Sequence, residues 1–410
     1  MAEKRHFLFL QGNATPFYRR LGKCLAEAGH QVSRINVGGG DYLFWGDWNA
    51  INWRQTPEEL AAEMPDLMRQ LSPSDIILFG DCRPIHRTAI ESAKTSGIRV
   101  YVFEEGYFRP HWITLERDGV NGYSRISRDP EWYLEAAQSL PAQAGFQPVG
   151  GGLRNRILLD FAWQAANYVF LPKFPGFHTH RPYPIWREYA SWLTRLARLP
   201  ARRQQALDLQ EMLIRRKARF FLFPLQLDSD TQIRVHSPWK SMVPIIEHVV
   251  ASFAENASSE TQLVIKNHPL DNGMIDYRSL VRRVAASHGA TSRIHFIDGG
   301  NLDRLAAAAT GVVTVNSTAA MTAIEAACPT IALGSAIFAL PGITFQGELH
   351  DFWSIDRTAM APTAEVVDAF TRVVRYHTQL NGNFYTERGI RLALGGAMHK
   401  LLDASLSTRS

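Results

Sequence analysis

The sequence predicts an α/β protein made of two parallel-sheet domains, and three observations carry that expectation. Short apolar runs alternate with helical stretches in two separate sets, the pattern of repeated βαβ units and a parallel sheet. The runs leave into polar loops, and in such sheets ligand chemistry gathers where strands end. The chain has 410 residues, more than one ordinary core organises. A hydrophobic content of 46% with 20% charged residues describes a globular protein.

In the first set, Phe7–Leu10 reads as a strand, followed by Gly12 and an amphipathic helix from Phe17 to Ala28 that Gly29 closes. Gln31–Val37 is the second strand and ends in Gly38-Gly39-Gly40-Asp41. Ile76–Phe79 and Val100–Phe103 follow, leaving into Gly80-Asp81 and Glu104-Glu105-Gly106. From about 140 to 217 the chain is helical, aromatic and basic, with prolines between Pro172 and Pro184, as an interdomain connector would be. The second set comprises Phe220–Leu225, Leu263–Ile265, Ile294–Ile297, Val312–Val315 and Thr330–Leu333. The expected division is an N-terminal domain over 1–185, a connector over 186–217, a C-terminal domain over 218–345, and helices over 346–410 that pack back across both. Two Rossmann-like domains facing a central cleft, with terminal helices, form the GT-B glycosyltransferase plan. Periodicity alone equally allows other two-domain α/β enzymes.

Composition removes several alternatives. A net charge of +5 favours anionic partners in general, but acidic and basic residues are interleaved and no nucleic-acid-binding signature appears. Cys24, Cys82 and Cys328 lie far apart without a CxxC pair, which argues for core thiols in a reducing cytosol rather than a disulfide framework. The N-terminus lacks an apolar signal region, and no run reaches the ~18 apolar residues of a membrane span. The dinucleotide fingerprint GxGxxG is absent, and the glycines at 38–40 lack the Gly-Lys-Ser/Thr ending of a P-loop. No His/Cys/Asp cluster has metal-ligand spacing, so no metal is expected.

The most informative segment is Val264-Ile265-Lys266-Asn267-His268-Pro269, an apolar run that ends in a cation and an imidazole. Roughly fifty residues on, a second run ends in Asn316-Ser317-Thr318 and opens a helix carrying Glu325. Helix N-termini offer free N–H groups and a positive dipole to a phosphate, and Lys266 and His268 would add side-chain donors. The pattern points to a nucleotide-activated donor in the second domain. An ordinary strand-to-loop exit is the plainer alternative.

Phe103-Glu104-Glu105-Gly106-Tyr107-Phe108-Arg109-Pro110 and Trp112-Ile113-Thr114-Leu115-Glu116 resemble the capsule polysaccharide biosynthesis/export family. So do Pro224-Leu225-Gln226-Leu227-Asp228-Ser229-Asp230 and the Lys-Asn-His-Pro and Asn-Ser-Thr segments, in this order from Gln11-Gly12 to about Gly342. The resemblance is to its β-Kdo transferase branch. It implies retaining transfer of Kdo (3-deoxy-D-manno-octulosonic acid) from CMP-β-Kdo to a lysophosphatidylglycerol-type lipid at the inner face of the cytoplasmic membrane. The product would start the poly-Kdo linker of a Gram-negative capsule. A second poly-Kdo transferase and the capsule ABC exporter would be the implied partners, with no cofactor. The competing readings are a GT-B enzyme using another nucleotide sugar, and a non-catalytic export or scaffold component.

The resemblance makes Asp230 the nucleophile candidate, with Asp228 as an electrostatic neighbour; either can instead cap the helix that follows. Glu104 or Glu105 is expected as general base, with Glu104 slightly favoured, against a solvated acidic turn. Lys266, His268, Asn316, Ser317, Thr318, Glu325 and Gln226 are assigned to the donor, Glu325 to its ribose, although Ser317 and Thr318 can also be caps. Gly12, Asn13 and Arg109 are assigned to the acceptor side, as are the glycines at 38–40. Arg109 can equally be a structural ion-pair partner. For docking on the membrane surface, the expectation falls on Phe170, Lys173, Phe174 and Phe177, then His180 and Arg181. Arg195, Arg198, Arg202 and Arg203 on the next helix extend it. Loops around Trp45, Trp48 and Trp53 are the second choice.

Overall fold

Strands in the computed structural model, which describes residues 3–141, 145–178 and 185–403, fall into two sheets. In chain order they are β1 (His6–Phe9), β2 (Gln31–Asn36), β3 (Ala50–Asn52), β4 (Asp75–Phe79), β5 (Arg99–Glu105) and β6 (Trp112–Arg117). The rest are β7 (Phe220–Pro224), β8 (Gln262–Lys266), β9 (Ile294–Ile297), β10 (Gly311–Thr314), β11 (Thr330–Ala332) and β12 (Gln379–Asn381). The chain divides into unit 1, residues 1–126, 140–179 and 372–410, and unit 2, residues 127–139 and 180–371.

Unit 1 holds the sheet β12-β6-β5-β4-β1-β2-β3. β1 to β5 are mutually parallel, but β6 runs antiparallel to β5 and β12 antiparallel to β6. The sheet is therefore mixed, not wholly parallel as expected. The link from β5 to β6 is too short for a crossover and permits only a hairpin. Gly106 makes the crossing possible: a Cβ there would lie 1.9 Å from the Trp112 carbonyl oxygen.

Unit 2 holds β11-β10-β7-β8-β9, parallel throughout. β7 is buried along its whole length, as a central strand covered on both faces must be. One face packs Phe221, Phe223 and Ile265 on Ile246 and Val250 of the helix Met242–Asn256. The other packs Phe220, Leu222 and Val264 on Ala206 and Leu213.

Those last two residues belong to the helix Ile185–Arg215, so the expected connector over 186–217 is a core element of unit 2. The C-terminal segment also divides differently from expectation. Phe352 and Trp353 pack on Phe221, with ring centroids 5.4 and 5.0 Å away, which carries unit 2 past residue 345. From 372 the chain returns to unit 1, where Leu380, Phe384 and Ile390 join the core around Phe17 and Phe103.

Each sheet has its first strand (β1 or β7) inside, flanked by the second (β2 or β8) on one side and a later strand (β4 or β10) on the other. Chain direction reverses there, and loops leaving the two central strands diverge to make a ligand crevice. The candidate residues cluster at these two places.

Candidate functional site

In unit 2 the loop leaving β7 is tied to the loop leaving β10. Gln226 donates Nε2–H to Asn316 Oδ1 at 2.8 Å and accepts the Asn316 backbone N–H at 3.2 Å. Asn316 then donates Nδ2–H to the Gln232 carbonyl at 2.9 Å. Both side chains are at least 95% buried, at 5% and 2% exposure, so their polar groups lock the switch point.

Asp230 is held by this clamp. Its carboxylate accepts from Gln232 N at 2.9 Å, capping the helix Thr231–His236, and from Gln226 Nε2 at 3.4 Å. Asp228 accepts from Ser241 Oγ at 2.7 Å and Met242 N at 2.8 Å, at the start of the helix Met242–Asn256. Both aspartates cap helices, and only Asp230 is also tied to the switch-point amides. Ser317 Oγ accepts from Ala319 N at 3.2 Å, whereas Thr318 begins its helix without a side-chain cap. That helix, Ala319–Glu325, has only seven residues, and Glu325 stands exposed at its last position.

The loop after β8 carries the charged groups. Lys266 is 8% exposed, and its ammonium makes no hydrogen bond or ion pair with any described residue. Burial lowers its titration below the usual lysine value; Asp298 opposes this and Arg195 adds to it. His268 accepts the Leu270 backbone N–H on Nδ1 at 3.1 Å, which leaves the neutral ring's proton on Nε2. Asn267 donates to Asp271 at 3.2 Å, closing the turn.

Beneath this loop lies a residue that the sequence led us to place elsewhere. Arg195, assigned above to a membrane face, is 5% exposed and donates to the carbonyls of His268, Pro269 and Asp271. It also pairs with Asp298 at 2.7 Å, and Arg202 approaches the same carboxylate at 3.5 Å. Burial pushes the Asp298 carboxyl up, but the two guanidiniums prevail and hold it below the usual range. Arg198 and Arg203 are exposed.

In unit 1 the matching crevice is lined by the loop after β1, by Arg34 of β2 and by the start of the helix Gly39–Trp45. Gly12 takes the Tyr18 ring, since a Cβ would lie 2.8 Å from it. Asn13 accepts from Thr15 Oγ1 at 2.8 Å, while its Nδ2 and the Tyr18 hydroxyl are buried without a described partner. Arg34 and Asp41 form a buried ion pair at 3.0 Å, and Arg83 donates to Gln11 Oε1 at 2.6 Å. Gly40, with Asp41, lines the same cavity as Gly12 and Asn13, but from a helix rather than a loop. Gly39 and Gly40 lie inside the helix Gly39–Trp45, where any Cβ would strike Ala166 or Trp163.

Glu104 and Glu105, adjacent on β5, point to opposite faces of the sheet. Glu104 Oε2 lies near Gly80, where a Cβ would come within 3.1 Å of it. Glu105 accepts from the Tyr385 hydroxyl and pairs with Arg156 at 3.5 Å. Arg109 is exposed, donates to the Gly106 carbonyl at 3.1 Å, and forms no ion pair among the described residues. The guanidinium beside the glutamates is therefore Arg156, from a helix that read as connector.

The other expected docking residues are also tied down. Phe174 is fully buried, and Lys173 pairs with Asp47 at 2.8 Å and lies over the Tyr42 ring. Phe170 and Phe177 are half-buried, and His180 and Arg181 fall outside the described residues. Trp45 and Trp53 are buried, and Trp48 stacks on Trp45. Cys82 and Cys328 are buried too, with the Cys328 thiol pushed up to about 12.

A family model described as capsule polysaccharide biosynthesis protein matches residues 74–385. The chain belongs to that family. It is 32% identical over 383 residues to the capsule polysaccharide export protein KpsS of Escherichia coli, covering 93% of this chain and 97% of that one. It is 31% identical over 392 residues to the capsule polysaccharide modification protein LipB of Neisseria meningitidis, covering 93% and 92%. Among solved structures it is similar to Thermosulfurimonas dismutans KpsC, a β-Kdo 2,7-transferase, at 12% identity and a TM-score of 0.44, with coverage of 96% and 99%. That likeness is too loose to carry a residue assignment. The architecture is α/β with two predominantly parallel sheets, as the GT-B plan requires. No helix among the described residues is long and apolar enough to cross a membrane.

Proposed function

We propose that this capsule-family protein is a retaining glycosyltransferase that moves Kdo from CMP-Kdo to a lysophosphatidylglycerol-type lipid and so begins the linker of a capsular polysaccharide. One observation carries the reading: a largely buried Lys266 side chain, its ammonium without a described hydrogen-bond or ion-pair partner, beside His268 at the C-terminal edge of the parallel sheet in unit 2. A buried cation is costly unless an anion reaches it. A nucleoside monophosphate sugar brings one phosphate, to which the His268 Nε2–H would also donate. Exposed Glu325 would take the ribose, and Ser317 and Thr318 the nucleotide on the β10 side.

The chemistry needs retention, which two inversions provide. The Asp230 carboxylate attacks the anomeric carbon as the bond to the phosphate oxygen breaks and CMP leaves with that electron pair. The acceptor hydroxyl then attacks the same carbon, its proton passes to a carboxylate, and the bond to Asp230 breaks. Gln226 and the Gln232 N–H orient Asp230 for both steps. Glu104 is the base on this reading, as the family resemblance favours, while Glu105 is held by Tyr385 and Arg156. On this reading the enzyme works at the cytosolic membrane surface without a metal, since one phosphate needs only the side-chain cations.

Incubation with CMP-Kdo and a fluorescent lysophosphatidylglycerol tests the proposal. We expect CMP release and a Kdo-bearing lipid. Turnover only with a UDP- or GDP-sugar would reassign the donor, and no turnover with any donor would favour a scaffold. Asp230→Ala should reduce transfer to under a few per cent (roughly) with CMP affinity nearly unchanged, since a nucleophile contributes to the reaction more than to ground-state binding.

A further inference from the structure

The helix Leu153–Val169 in unit 1 is apolar on its outward face. Leu153, Ile157, Leu158, Phe161, Tyr168 and Val169 are between 46% and 69% exposed, and Ala162 and Ala165 between them are exposed as well. Spacings of three and four residues place these positions on one stripe. The inner side of the helix is fastened closely. Gly39 and Gly40 admit Ala166 and Trp163 where no Cβ would fit, and Asn167 accepts the Gly40 N–H at 2.7 Å. A soluble protein rarely leaves so continuous an apolar stripe to water, and such a stripe marks a docking surface.

Two features on the page select a lipid surface over another protein. The first is charge: exposed Arg154 lies within the stripe near its start, and exposed Arg388 donates at 3.2 Å to Gln147, beside the 48%-exposed Phe146. The neighbouring carboxylates face cations of their own, Asp160 acting on Arg156 and Glu387 paired with Arg20. Exposed apolar side chains with guanidiniums at their border fit an anionic headgroup layer. The second is continuity with the candidate chemistry, because Arg156 of the same helix turns inward to Glu105. A hydrocarbon chain gathered on the outer face would thus belong to a molecule whose polar end is near the acceptor-side carboxylates.

We infer that the face of Leu153–Val169 docks unit 1 on an anionic phospholipid surface. The inference rests on the lipid-acceptor reading above but concerns a different stretch from the one the sequence suggested.

Co-sedimentation with phosphatidylglycerol vesicles, and with phosphatidylcholine vesicles as control, tests it. The wild-type chain should bind phosphatidylglycerol, less so as salt rises. Ile157→Glu with Phe161→Glu should weaken binding at least about tenfold, and Arg154→Glu with Arg388→Glu should remove its salt dependence. These exposed positions should leave the circular dichroism spectrum, and transfer to a short-chain water-soluble acceptor, unchanged. Wild-type binding to neither vesicle, or undiminished binding by the Ile157/Phe161 variant, would overturn the inference. So would a wild-type dimer that Phe161→Glu splits without changing vesicle binding, which would assign the face to a second copy. Vesicle binding through this face in a chain inactive toward every donor would refute the transferase proposal and leave the docking surface standing.

Discussion

The two units share a strand plan but treat their switch points differently. In unit 2 the amides of Gln226 and Asn316 saturate each other, Asp230 is fixed by both a backbone N–H and Gln226, and Arg195 clamps the Lys266–Asp271 loop from below. Among the described residues the Lys266 ammonium has no hydrogen-bond or ion-pair partner, and Asp298 supports its charge only from a distance. In unit 1 Arg34 pairs with Asp41 and Arg156 with Glu105, and the cavity beside Asn13 keeps three buried groups without a described partner, Asn13 Nδ2, the Tyr18 hydroxyl and Arg19 Nε. A rigid frame around a cation with no direct partner among the described residues suits a ligand with a single fixed phosphate. A crevice with an ion pair at its wall and both neutral and cationic donors left over suits a polar partner rich in oxygen acceptors.

The largest effect should come from removing a clamp. Arg195→Ala takes from the buried Asp298 carboxylate its closest partner, leaving the more distant Arg202 and the fields of Lys266 and Arg278, and should cost about 3–5 kcal/mol in urea unfolding. It should also release the His268 loop and weaken CMP binding. Arg34→Ala in unit 1 should also destabilise, since Asp41 then loses its buried cation and keeps the Gln11 amide and the Val37 N–H, yet leave CMP affinity as it was. Equal losses of CMP affinity in both variants would erase the contrast between the two crevices.

Gln226→Ala should be milder, about 1–3 kcal/mol, because it strands the Asn316 amide. Its informative readout is kinetic: a fall in kcat with a smaller change in CMP affinity, since Asp230 loses a partner.

Lys266→Met should act in the opposite sense on stability. Replacing a largely buried cation that burial destabilises more than Asp298 supports should raise the stability of the ligand-free protein by about 0.5–2 kcal/mol, the usual size of a stabilising change at a strained functional position. A loss of stability would mean that Lys266 is a structural group.

The smallest expected effect reports on unit 1 alone. Burial pushes the Glu116 carboxyl up to about 7, against the Ser124 and Tyr107 hydroxyls and Lys400, which favour its charged form. Folded Glu116 therefore holds its proton to higher pH than the unfolded chain does, so stability falls as pH rises from the ordinary carboxylate range to about 7. Glu116→Gln should flatten that part of the curve by about a few degrees in Tm. An unchanged slope would show the carboxyl to be ionised throughout.

Much of this was legible in the chain, for identifiable reasons. Long apolar runs such as Phe220–Pro224 and Leu263–Ile265 are buried on both faces and announce central strands. The three-residue edge strands β3 and β12 bury too little to leave a pattern, and β6 was read as a motif rather than a strand. Asp230 and Lys266 were visible because they follow strands. Arg195 was not, because its partner Asp298 lies 103 residues away and a basic helix reads alike whether its cations meet lipid or a buried carboxylate. Arg156 was missed for the same reason. The stripe on Leu153–Val169 was present in the sequence, but its spacing does not tell an inner face from an outer one.

The central claim is that the Lys266–His268 loop receives the phosphate of a cytidine nucleotide. Calorimetric titration of CMP into the wild type, Lys266→Met and His268→Ala tests it most directly. The account predicts one CMP per wild-type chain, with affinity falling at least about tenfold in either variant, the size of a lost charge-assisted hydrogen bond. Wild-type CMP binding that both variants retain in full would place the nucleotide elsewhere and contradict the account.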